Sequence, residues 1–189
     1  MIIGLTGKNA AGKGEIANYL KTKGFVYYSL SDVIREEATK RGLEHTRDNL
    51  IRLGTEMRET HGNSILAKRI NEKISKLQNQ DFVVDSIRNP GEIKELRKNK
   101  DFILAAVHTD AEIRFQRLLK RGRIGDAQTF EQFLEHENKE NNNEGAGQQL
   151  DRCIEMADTI ISSNGTIEEA NKDIGNYIDS LRSKKQFRR

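Results

Sequence analysis

Proline and cysteine each occur once and tryptophan not at all in this chain of 189 residues. The single cysteine, Cys153, excludes an intramolecular disulfide framework and a four-cysteine zinc site. No apolar stretch approaches the roughly 18 residues that a membrane-crossing helix needs, so no membrane partner is expected. The opening MIIGLTGKNAAGKGE lacks the basic segment and long apolar block of a secretory signal, and a cytoplasmic protein is expected. Histidine is scarce: His45, His61, His108 and His136 are scattered without ligand spacing, and none is assigned a metal. Apolar residues make up 35% and charged residues 32%, giving a lean core and a heavily charged surface. Several spread apolar runs argue against disorder. The last nine residues, LRSKKQFRR, carry five positives and no acids, so of the net +3 the preceding 180 residues carry −2. The body is therefore not a nucleic-acid surface by bulk charge, and the tail reads first as a solvated terminus.

What is present is an alternation of short apolar runs with amphipathic ones. Strands are expected at Met1–Thr6, Phe25–Leu30, Phe82–Ile87, Phe102–Val107 and Thr159–Ser162. Between them, Ile16, Ala17 and Leu20 mark one helix face over residues 13–23, with Gly24 as its stop. Further helices are expected over 32–41, from a Thr46 cap to about Thr60, 64–77, 92–98, 111–120, from Thr129 through Glu137, and 166 to about 181. Asn89-Pro90-Gly91 reads as a turn, 122–128 as an exposed loop, and the polar stretch 138–149 as a flexible loop or part of a mobile lid. Strands alternating with helices imply right-handed crossovers and a parallel sheet covered on both faces. The expected class is α/β, a single domain over 1–189 with five parallel strands and a small helical lid.

The sharpest motif is Gly7-Lys8-Asn9-Ala10-Ala11-Gly12-Lys13, which fits G-x-x-x-x-G-K between a strand and a helix. Its glycines let successive N–H groups turn inward at the positive end of a helix, where phosphate oxygens bind. Lys13 adds a charge for the outer phosphates of a nucleoside triphosphate. Gly14 stands where a hydroxyl residue would bind magnesium, and Glu15 follows. Glu15 either approaches the metal in place of that hydroxyl or is a first-turn acid favoured by the helix dipole. Asp85 ends an apolar strand, where folds of this class bind ligands. Asp32 and Arg35 lie one helical turn apart and can face one cleft. Arg114, Arg117, Arg121 and Arg123 fall within ten residues, and the first three share a helix face. Such a face is unfavourable unless anions or acids lie opposite.

These segments resemble the P-loop nucleotide kinases. S-L-S-D-V-I-R over 29–35 is similar to the adenylate-kinase segment in which an arginine grips the acceptor's phosphate. Adenylate kinases also place glycine after the loop lysine, although Thr follows there where Glu15 stands here. Phe82-Val83-Val84-Asp85 resembles a Walker B strand whose acid orders magnesium, and Arg88 matches an acceptor-phosphate arginine. Arg117, Arg121 and Arg123 resemble the R-x-x-x-R-x-R lid that closes over the transferring phosphoryl group. ADTIISSNGTIEEA looks like the terminal strand and N-G-T turn of dephospho-coenzyme-A kinases, which implies that Asn164 and Gly165 lie near the ATP base. The whole chain resembles an uncharacterised P-loop kinase-like group sharing GKGE, S-D-V-I-R-E-E and D-S-I-R-N-P-x-E.

The resemblance implies ATP and Mg2+ as cofactors, with Lys13, Asp85, Arg117 and Arg121 catalytic. Gly7 through Glu15 would cradle the nucleotide, Glu15 and Asp85 would serve the metal, and Asp32, Arg35, Arg88 and Arg123 the acceptor. An acceptor-binding helical region is expected at about 32–78 and a lid at about 117–149. The expected activity is transfer to a small phosphate-bearing acceptor, first a nucleoside or deoxynucleoside monophosphate. Dephospho-coenzyme-A kinase and a non-catalytic nucleotide-binding regulatory module stay open. The expected state is a monomer or homodimer without nucleic acid. No N-K-x-D guanine motif occurs, and the H-x-E and P-C-x-x-C of a zinc deaminase are absent.

Overall fold

A computed structural model describes all residues except Gln78, 123–125, 142–144 and 187–189; the side chains of 185 and 186 are likewise not described. The chain runs β1 (Ile2–Thr6), α1 (Lys13–Thr22), β2 (Val26–Ser29), α2 (Leu30–Lys40), α3 (Arg47–His61), α4 (Ile65–Ile74) and β3 (Phe82–Asp85). It continues with α5 (Pro90–Leu96), β4 (Phe102–His108), α6 (Ala111–Arg121), α7 (Phe130–Glu140), α8 (Leu150–Glu155), β5 (Thr159–Ser162) and α9 (Ile167–Gln186). The five strands form one parallel sheet in the order β2-β3-β1-β4-β5.

Side-chain alternation along the strands builds two cores. Ile2, Phe82, Val84, Phe102 and Leu104 face α2, α3, α4, α5 and α8, whose Leu30, Leu53, Leu66, Ile93 and Cys153 close that layer. Ile3, Leu5, Val83, Ala105 and Val107 face α1 and α9 through Ile16, Leu20, Ile174 and Ile178. Each fully buried leucine or isoleucine contributes about 1.5–3 kcal/mol. A third, small cluster belongs to α6 and α7: Phe115, Phe130 and Phe133 meet with ring centroids 5.6–6.2 Å apart, over Leu118 and Ala127. Among the described residues no helix is long and apolar enough to cross a membrane.

From β1 the chain steps out to β2, reverses there, and passes through β3 across β1 to β4 and β5, so the connections leaving the neighbouring strands β1 and β3 run to opposite sides. The crevice that this divergence opens at the strands' C-terminal ends is where such sheets take ligands.

Four local expectations are corrected. Helix α2 begins at Leu30, because the Ser29 hydroxyl caps it by accepting from the Ser31 N–H. Asn89-Pro90-Gly91 is the start of α5. Asn89 and Glu92 form a reciprocal capping box, and proline takes the first helical position, where its missing N–H goes unused. The 138–149 stretch is no loose loop in its described parts: 138–140 complete α7, and Gln148 and Gln149 are buried. In 122–128, Ala127 is likewise buried.

Candidate functional site

The turn after β1 is fixed by backbone geometry. Gly7 sits at φ +135°, and a Cβ there would lie 2.4 Å from the Val107 carbonyl oxygen. Gly12, at φ +96°, precedes α1, while Ala10 takes φ +59° without being glycine. A left-handed alanine is local strain of the kind that ligand-binding loops store. The Ala11 carbonyl accepts from the Thr109 hydroxyl at 3.0 Å and the Asn9 carbonyl from Arg114 at 3.4 Å. A trans peptide points N–H opposite to C=O, so the N–H groups of Ala10 and Gly12 are turned the other way.

Lys13 lies at the centre of this turn. Its ammonium donates to the Gly7 carbonyl at 2.7 Å and the Lys8 carbonyl at 2.8 Å. Burial pulls its pKa down from 10.5 to about 8, with Asp85 opposing the shift and Arg88 and Arg114 adding to it. Lys8 reaches Asp151 of α8 at 3.4 Å. Gly14 has open space where a side chain would project, and Glu15 is exposed on the first turn of α1.

Asp85 ends β3 beside this turn. One carboxylate oxygen accepts from the Ser86 N–H at 2.6 Å, and the other from the Tyr27 hydroxyl at 3.4 Å. Ser86 follows at φ +65°, a second strained non-glycine residue, and its hydroxyl meets that of Ser29 at 3.1 Å. No group of three or more His, Cys, Asp or Glu side chains is gathered for a metal among the described residues. Magnesium keeps several waters and takes one or two carboxylates together with substrate phosphates, so a donor set built on Asp85 fits it.

The arginines fall into two populations. Arg58 donates through two nitrogens to a single Glu92 carboxylate oxygen at 2.8 and 3.0 Å, with Glu92 fully buried. The other Glu92 oxygen accepts from the N–H groups of Arg88 and Asn89 at 2.8 and 3.0 Å. Arg114 is buried on Glu137, over the Phe133 ring, and donates to the Thr109 carbonyl at 2.9 Å. Arg121 grips Asp126 at 2.9–3.2 Å. Arg47 of α3 reaches Glu140 at 2.7 Å.

Arg88 and Arg117 differ, since among the described residues they meet neutral oxygens. Arg88 donates to the Gln148 amide oxygen at 3.0 Å. Arg117 donates to the Ser163 carbonyl at 2.7 Å, and more weakly to the hydroxyls of Ser163 and Thr109. It lies against the phosphate-type turn, 3.6 Å from where a Cβ on Gly12 would be. Burial lowers the pKa of Arg88 from its usual value; Glu140, Asp85 and Glu92 act against the shift and Arg58 adds to it. The guanidinium stays charged regardless.

The structure thus brings Gly7 through Lys13, Asp85, Arg88 and Arg117 to one end of the sheet. Asp32 and Arg35 pair with each other at 2.7 Å on an exposed turn of α2. The Asn164 amide oxygen accepts from the Asp110 N–H at 2.9 Å, tying the β5–α9 turn to the start of α6. Beyond Gly165, Thr166 and Glu169 form a reciprocal cap for α9. Arg123 lies outside the described residues. Sequence reasoning missed Arg58, Glu92 and Gln148. The N-x-x-E spacing of Asn89 and Glu92 was a readable capping signal; nothing local marks Gln148.

A family model described as an AAA domain matches residues 6–133. The UPF0200 protein TK1334 of Thermococcus kodakarensis is 35% identical over 97% of this chain and 100% of its own length. Among solved structures, a gluconokinase from Sinorhizobium meliloti 1021 superposes with a TM-score of 0.59 at 13% identity, covering 98% of this chain and 95% of that one. A shikimate kinase from Acinetobacter baumannii in complex with shikimate gives 0.56 at 16% identity, covering 97% and 94%. At such identities the likeness shows the fold, that of the P-loop kinases.

Proposed function

The chain belongs to the AAA-domain and UPF0200 families, and on that footing we propose that it is an ATP-dependent phosphotransferase whose acceptor is a small phosphate-bearing molecule, first a nucleoside or deoxynucleoside monophosphate. One observation carries the reading. Three cations around the first strand's turn, Lys13, Arg88 and Arg117, are met by carbonyl, amide and hydroxyl oxygens, whereas Arg58, Arg114 and Arg121 are neutralised by carboxylates. Cations near a concave backbone, without a carboxylate of their own, are suited to incoming phosphate.

In this reading Gly7, Lys8, Asn9, Ala10, Ala11, Gly12, Lys13 and Gly14 wrap the triphosphate, and Lys13 stabilises its outer charge. Asn164 and Gly165 border the base. Asp85, with Glu15 as the second carboxylate, would hold magnesium, which would supply neutralising charge to the transferring group. Arg117 and Arg121 serve that same group, with Arg121 leaving Asp126 to do so, and Arg123 serves the acceptor. Arg88 takes the acceptor's phosphate, and Asp32 and Arg35 border it within an acceptor region spanning about 32–78. The α6–α7 unit, with its own aromatic cluster, acts as the lid over about 117–149. The acceptor phosphate is already ionised, so no strong base is required; positioning and electrostatics carry the catalysis.

The test is a screen with labelled ATP and magnesium against nucleoside and deoxynucleoside monophosphates, dephospho-coenzyme A, shikimate and gluconate. Transfer to a monophosphate is expected. Product from dephospho-coenzyme A alone would move the reading to that kinase, and tight ATP binding with no acceptor-dependent product would move it to a regulatory module.

A further inference from the structure

Residues 145–149 (Gly-Ala-Gly-Gln-Gln) form a strap on the acceptor side of the sheet end. It carries no side chain larger than methyl that is apolar, so hydrogen bonds hold it rather than a core. The Gly145 carbonyl accepts from Asn63 and Gln149, and the Gly147 carbonyl from Asn89 at 3.0 Å. The Gln149 N–H donates to the Arg88 carbonyl at 2.7 Å. Gln148, only 6% exposed, places its amide oxygen 3.0 Å from the Arg88 guanidinium. The Arg88 backbone is thus clamped from both sides, by Glu92 at its N–H and by the strap at its carbonyl. Its guanidinium is held by the neutral oxygen of a glutamine.

We propose that Gln148 is a specificity-determining residue: its amide oxygen occupies the position on Arg88 that an anionic oxygen of the acceptor takes, so only an acceptor carrying such an anion displaces it. The inference rests on the assignment of Arg88 to the acceptor in the reading above. The physical argument is a difference in bond strength. A guanidinium binds a phosphate or carboxylate oxygen in a charge-assisted, often bidentate arrangement, roughly twice as strong as the bond to a neutral amide. An anion therefore wins the exchange, while a hydroxyl of an uncharged acceptor, no stronger than the amide, does not. Releasing Gln148 does not expose a core, because the strap has none. The fixed Arg88 backbone keeps the guanidinium in place while its partner changes.

The test uses the full chain saturated with magnesium and β,γ-imido-ATP, which keeps the first-strand turn from competing for the probe. Inorganic phosphate is titrated while the Arg88 Nε–Hε resonance is followed, assigned through Arg88→Lys. Wild type, Gln148→Ala and Gln148→Glu are compared. Removing the neutral competitor in Gln148→Ala should tighten phosphate binding by roughly three- to tenfold, the worth of one hydrogen bond. Gln148→Glu places a permanent carboxylate on Arg88 and should weaken it by about tenfold or more. A residue that merely supports the fold would give losses in both variants or no change in either, and both results overturn the proposal. Equal phosphate affinity in all three chains removes the role of Gln148 and leaves the kinase reading standing. No response at Arg88 in any chain overturns both this inference and the placement of the acceptor.

Discussion

Two loops converge on the same end of the sheet, one shaped first by backbone conformation and the other mainly by side-chain hydrogen bonds. The turn over 7–12 takes its shape from the backbone, through positive φ at Gly7, Ala10 and Gly12 and a close approach of Gly7 to the Val107 carbonyl, and Lys13, Thr109 and Arg114 then donate to its carbonyls. The strap over 145–149 is fixed by side chains, through Asn63, Asn89, Gln148 and Gln149, over a buried Arg58–Glu92 pair. Backbone geometry gives a shape that hardly depends on what is bound. Side-chain hydrogen bonds give one that exchanges partners. Under the proposed phosphotransferase reading, the first suits the nucleotide and the second suits an acceptor that enters and leaves.

The comparison breaks most sharply at Glu92. Replacing it with Ala leaves the Arg58 guanidinium buried without its carboxylate and frees the N–H groups of Arg88 and Asn89. A loss of about 3–5 kcal/mol is expected in urea unfolding, because the buried Arg58 charge is left without a partner. On the other loop, Gly7→Ala forces a Cβ against a backbone carbonyl at φ +135°. About 3 kcal/mol of destabilisation is expected from the same measurement, with loss of ATP binding.

The next effect is electrostatic. Lys13 has its pKa lowered to about 8 in the free protein by burial. Bound phosphate favours the charged form and raises that pKa. Below about pH 7 the lysine is charged in both states and contributes no pH dependence. Above pH 8 binding takes up a proton, and ATP affinity falls by up to about tenfold per pH unit until the bound-state pKa is passed. Calorimetry in two buffers of different ionisation enthalpy should show that uptake, and Lys13→Met should abolish it. Smaller still, Gly14→Ala has open space and no positive φ, so it should stabilise the chain by about 0.5–1 kcal/mol. Cys153 marks the quiet end of the scale. Its thiol is buried and its pKa is pushed up by desolvation, so a disulfide reagent at pH 8 should leave it unmodified until denaturant is added.

The sheet was legible because its strands are short apolar runs separated by helices of clear periodicity, and each of the five appears where the pattern placed it, within one or two residues at each end. The first-strand turn was legible because its glycines are local signals of backbone need. What escaped the sequence was partnership across distance. Arg58 and Glu92 are 34 positions apart and Arg88 and Gln148 are 60 apart, and only the folded chain shows which arginines are neutralised. The 138–149 stretch read as loose because polar, glycine-bearing composition signals a loop. Composition cannot show that the carbonyls and amides of residues 145–149 meet partners in the α3–α4 and β3–α5 turns.

If Lys13 and its turn hold the triphosphate, the lysine's charge must set the affinity for it. Calorimetric titration of magnesium-ATP into wild type and Lys13→Met at pH 7, with folding checked by circular dichroism, addresses it directly. Saturable one-to-one binding is expected, and the substitution should weaken it by about a hundredfold, equivalent to roughly 2.7 kcal/mol. Indistinguishable binding by the two chains would contradict it.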